Sequence, residues 1–91
     1  MDEITVESAA VDHGWIARVG GTDGRSSRDF EVSVSAAELA RFDPGAPDPD
    51  RLVRRSFEFL LVREPKESIL ASFGLSVIGR YFPEYESEIR P

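Results

Sequence analysis

Ninety-one residues, 41% hydrophobic and 31% charged, make one domain with one core and place the chain among ordinary globular proteins rather than disordered ones. A formal net charge of −6 repels nucleic-acid phosphate and anionic lipid at long range. The absence of cysteine excludes disulfides and thiolate metal sites and fits a reducing compartment.

The acidic start Met1-Asp2-Glu3 lacks the basic and apolar regions of a signal peptide. The longest strictly aliphatic or aromatic run is Phe59-Leu60-Leu61-Val62, far too short to span a bilayer. A soluble, cytoplasmic protein is therefore expected. Every basic residue but Lys66 is arginine, a pattern of high-GC codon usage that carries no functional weight.

Apolar residues alternate from Ile4 to Ser35 and recur at three and four from Ala36 onward, so the period changes once from strand to helix. The expected fold is a single α+β domain over 1–91. Residues 1–35 form a three-stranded antiparallel meander, and 36–91 form three to four helices on one of its faces.

In the first strand Ile4 and Val6 share a face. In the second Trp15, Ala17 and Val19 do, and in the third Phe30, Val32 and Val34. The first hairpin turns within Asp12 to Gly14, with either Asp12-His13 or His13-Gly14 as the loop. Asp23-Gly24 is a favoured two-residue hairpin turn, because both positions tolerate positive φ. That turn sets Trp15 opposite Val32, Ala17 opposite Phe30, and Arg18 opposite Asp29. Gly20 and Gly21 are then left to mark a bulge or a close backbone approach.

Ser35 with Glu38 three residues on reads as a capping box for a short helix carrying Leu39 and Phe42. The segment 43–50, with its three prolines and a glycine, breaks regular structure. Asp48 is expected to cap a long helix over 49–63, with Pro49 at its first position and Val53, Phe57, Leu60 and Leu61 inward. Arg54 and Glu58, four apart on it, can pair. Pro65 to Phe73 reads as another short helix stopped by Gly74. Ser76 reads as the cap of one or two turns through Phe82, and Tyr85 and Ile89 as one last amphipathic turn.

Motifs for chemistry are scarce. The glycine-rich stretch 20–27 is followed by a strand and holds no lysine, so it lacks the strand-to-helix context and the charge of a phosphate loop. His13 is the single histidine and sits at a turn, and no serine lies in a strained nucleophile elbow. Asp43, Asp48 and Asp50 lie among prolines that preclude an EF-hand cage. No enzyme activity, cofactor or metal is expected.

Residues 69–82 imitate a helix-turn-helix, but Leu70 and Arg80 stand where that motif wants a small and an apolar residue. The run Asp12 to Val19, DHGWIARV, resembles the second strand of HicB-like antitoxins over about eight residues. It lacks the proline-glycine turn expected after that strand, and the chain is not assigned to the family.

Two surfaces remain. Ile16, Arg18, Asp29 and Glu31 lie on the sheet face turned away from the helices, with Ala9, Val11 and Glu7. They form a candidate surface for a protein partner or for a second copy of the chain. Arg51, Arg54 and Arg55 on the long helix form a candidate nucleic-acid face, as an antitoxin-like or repressor-like regulator would use. The aromatic cluster Tyr81, Phe82 and Tyr85 fits either core or interface.

Overall fold

The alternating segments form three nine-residue strands, β1 (Glu3–Val11), β2 (Gly14–Thr22) and β3 (Ser27–Ser35). In this computed structural model, which describes residues 3–22 and 24–90, they build an antiparallel meander in the order β1-β2-β3. Val11 faces Gly14, so the first loop is Asp12-His13, with His13 in the left-handed region at φ 67°.

The second hairpin departs from the expected register. Trp15 faces Val34, Ala17 faces Val32, and Arg18 faces Glu31 rather than Asp29. The loop lies between the paired Thr22 and Ser27. The Thr22 hydroxyl organises it by accepting the Gly24 N–H at 3.2 Å and donating to the Ser26 carbonyl at 3.2 Å. Asp23, half of the expected turn dipeptide, lies outside the described residues. The slip is two residues, so every side chain keeps its face. No bulge occurs at Gly20 or Gly21, which pair in register with Asp29 and Arg28.

A fourth strand corrects the helix expected over 65–73. Lys66–Ser68 make a single 3₁₀ turn, and β4 (Ser72–Gly74) runs parallel to β3. The cause is the open edge of β3. Glu31 N–H donates to the Ala71 carbonyl at 2.8 Å and Leu75 N–H to the Ser33 carbonyl at 3.0 Å, which satisfies backbone groups that a helix would leave unpaired.

Helix α1 (Ala36–Phe42) begins at the capping box read from the sequence. Ser35 Oγ accepts the Glu38 N–H at 3.0 Å, and Glu38 Oε1 accepts the Ser35 N–H at 2.8 Å. Helix α2 (Asp50–Arg63) starts one residue later than expected, and Asp48 accepts the Asp50 N–H at 3.0 Å from just outside it. Arg54 reaches the Ile4 carbonyl at 2.5 Å in place of the pairing expected with Glu58. Helix α3 (Val77–Tyr81) has no side-chain cap from Ser76, whose N–H instead donates to Glu38 Oε2 at 3.0 Å. Helix α4 (Tyr85–Ile89) buries Tyr85 and Ile89 as their spacing implies.

The core lies between the sheet and α2. Phe57 stacks near Phe30 and Phe73, with centroids 5.0 and 6.1 Å away. Leu52 and Phe59, off the expected stripe, are buried as well, because α4 covers a second side of α2 and Phe59 meets Tyr85 edge-on at 5.3 Å. Val62 remains 83% exposed.

Tyr85 settles its own part of the aromatic question as core. Ser56 Oγ donates to the Leu52 carbonyl, so the 2.7 Å contact between the two hydroxyls has Tyr85 as donor. Burial pushes the phenol up to about 12. The neutral form is thus the one the fold favours. This contribution is intact below the unfolded-state value near 10 and is lost as pH rises toward 12. Tyr85→Phe is expected to make the denaturation midpoint flatter across about pH 10–12, measured by urea titration at stepped pH. Phe82 is half-buried beside Phe59, and Tyr81 is 70% exposed.

Candidate functional site

Because alternate residues of each strand point to opposite faces, burying one set leaves the other set on a sheet surface without helices. Strand register orders that surface into rows. Ala9, Ile16 and Ser33 lie in one row, Glu7, Arg18 and Glu31 in the next, and Thr5, Gly20 and Asp29 in the third. Ser72 extends the middle row onto β4. The two charged rows frame a shallow depression of about 550 Å³.

Its floor is thinnest at Gly20. A Cβ there would stand 2.8 Å from the Thr5 hydroxyl and 3.7 Å from Asp29 Oδ1, so Gly20 lets these side chains lean across the sheet. The crowding there comes from side chains, so Gly20 marks neither a bulge nor the close approach of another backbone. The Thr5 hydroxyl donates a long hydrogen bond to the Gly20 carbonyl at 3.4 Å.

All four residues expected on a partner surface are on this face: Ile16, Arg18, Asp29 and Glu31. Arg18 stands between Glu7 and Glu31 rather than opposite Asp29. Among the described residues, none of Glu7, Arg18, Asp29 and Glu31 takes part in an ion pair. Glu7 belongs to the site as fully as Glu31, and its parity with Thr5 and Ala9 already places it there. Ser72 was out of reach of the sequence, since β4 itself was read as helix.

The helical layer behaves differently. Arg41 pairs with Glu86, and Arg63 spans Glu84 and Glu88 at 3.2 and 3.0 Å. Of the arginines expected to form a nucleic-acid face, Arg51 grips Asp43 through Nε at 3.0 Å and Nη2 at 2.5 Å, and Arg54 holds the Ile4 carbonyl. Arg55 is half-buried and contributes to the positive field at Asp43.

The acidic 43–50 segment is structural. Asp43 is 1% exposed, and the hydrogen bond from Arg51 holds its carboxyl below the usual aspartate range. The stability it supplies is full above the unfolded-state value of about 3.9 and is lost as pH falls through the lower folded value. Asp43→Asn should therefore weaken the acid sensitivity of the denaturation midpoint below about pH 4, as followed by circular dichroism. Asp48 tops α2, and Asp50 accepts the Ser8 hydroxyl at 2.5 Å.

His13 is an exposed loop residue whose carbonyl accepts the Ala36 N–H at 3.0 Å. Among the described residues, no group of histidine, aspartate or glutamate side chains could hold a metal ion, and no helix is long and apolar enough to cross a membrane. A smaller apolar groove of about 240 Å³ lies between the end of α2, β4 and α3, with Leu70 and Tyr81 exposed beside it.

No known protein family, no curated protein and no solved structure matches the chain.

Proposed function

We propose that this chain is a non-enzymatic, cytoplasmic protein-binding domain whose working surface is the open face of the sheet. One contrast carries the reading. Arg41, Arg51 and Arg63 of the helical layer are engaged with Glu86, Asp43, Glu84 and Glu88, while among the described residues Glu7, Arg18, Asp29 and Glu31 take part in no ion pair and surround a depression on the face turned away from the helices. Unpaired charges on a flat face favour a polar, specific contact over a greasy obligate one. The adjacent Ala9, Ile16 and Val11 supply its apolar part, with Val11 49% exposed.

Affinity capture from native cytosol at physiological salt, with and without nuclease, tests this function. Proteins retained equally under both conditions are the expected result. Loss of every bound protein on nuclease treatment, together with a gel shift that weakens steeply with salt, would replace the protein-binding reading with a nucleic-acid one. Capture of the chain's own copies alone would make the face a homodimer contact.

A further inference from the structure

We infer that the partner of the open face is a basic protein segment, one that sets two cationic side chains against Glu7 and Glu31. This inference rests on the protein-binding reading and gives it a chemistry. The face carries Glu3, Glu7, Asp29 and Glu31 against the single cation Arg18, and the whole chain is acidic. A second copy docked face to face would bring two such carboxylate sets together, and like charges across an interface cost affinity. Charge complementarity therefore selects a different molecule.

Geometry narrows it further. Glu7 on β1 and Glu31 on β3 are two strand spacings apart, about 10 Å, with Arg18 between them. A partner that satisfies the row presents its cations at about that separation and leaves an acceptor, a carbonyl or a carboxylate, for Arg18. The depression of about 550 Å³ lined by Gly20, Asp29 and Glu31 has room for the stem of a long basic side chain. Ile16, in the neighbouring row, receives an apolar side chain of the same segment.

The test uses the full chain, isotopically labelled, titrated at physiological salt with a capped lysine–leucine peptide and with its glutamate–leucine counterpart. The lysine peptide is expected to move the amide resonances of Glu7, Arg18, Gly20 and Glu31. Its affinity should fall about tenfold, or about 1.4 kcal/mol, in Glu7→Gln/Glu31→Gln, because two surface ion pairs are lost. Glu58→Gln/Glu64→Gln changes the net charge equally and should bind as the parent does. Equal loss in both double variants, or shifts spread away from the face, overturns the inference. If the glutamate peptide occupies the face instead, the basic partner is wrong while the protein-binding reading stands. If neither peptide touches it, the basic partner is again wrong, and the reading is then judged by capture.

Discussion

Phe57→Ala is expected to lower the unfolding free energy by about 3–5 kcal/mol, a large share of the roughly 5–15 kcal/mol that holds a small domain folded. Phe57 comes from α2 and touches β3 through Phe30 and β4 through Phe73, so one ring joins the helical layer to the two strands farthest from the N-terminus. Both neighbours are anchored by backbone pairing, which limits how far they can close a vacated space. Guanidinium unfolding with an unchanged slope would report the loss directly. A drop below about 1 kcal/mol would mean that the cavity collapses freely and that the packing described here is wrong.

The second large effect is steric. A Cβ on Gly14 would stand 2.1 Å from the Val34 carbonyl oxygen and 2.8 Å from Ser35 Cα. Those are backbone atoms at the point where β3 passes into α1, pinned by the capping box and by the Ala36 N–H to His13 carbonyl bond. They cannot swing aside as a side chain would. Gly14→Ala should destabilise by about 2–3 kcal/mol or more. Gly79→Ala is the natural control: it lies in α3 with nothing within 4 Å of an added Cβ, and it should stabilise by up to about 1 kcal/mol. Thermal melts of the two variants should move in opposite directions. A common direction would contradict the assigned backbone paths.

Side-chain parity was the most legible feature of the sequence. The alternation through Trp15, Ala17 and Val19 and through Phe30, Val32 and Val34 places the core face and, by complement, the open face, because only one face can be buried. Parity is blind to a slip of two residues, and there the Asp23-Gly24 turn rule misled. The Thr22 hydroxyl stabilises a longer loop, and no dipeptide preference registers that bond. Residues 65–73 were illegible for another reason. A short apolar segment such as Ile69 to Phe73 suits a helix or a strand equally, and the deciding influence, the unpaired edge of β3, lies some forty residues upstream. Arg51 and Arg54 looked available as charges on a helix, whereas their partners, Asp43 and the Ile4 carbonyl, become neighbours only through the tertiary fold.

The same logic explains why the candidate site was half visible. Ile16, Arg18, Asp29 and Glu31 share a face by parity alone. Their arrangement into rows, with Glu7 beside Arg18 and Gly20 opening the floor, needed the true register.

Site-specific photocrosslinking tests the central claim, that the open face is the working surface, most directly. A photoreactive residue in place of Arg18 or Ser33 samples that face, and one in place of Val62, the most exposed large apolar side chain of α2, samples the helical layer. After irradiation in native cytosol, a discrete crosslinked protein from position 18 or 33 and none from position 62 is the predicted result. The same product from position 62, with nothing from the sheet, would contradict it.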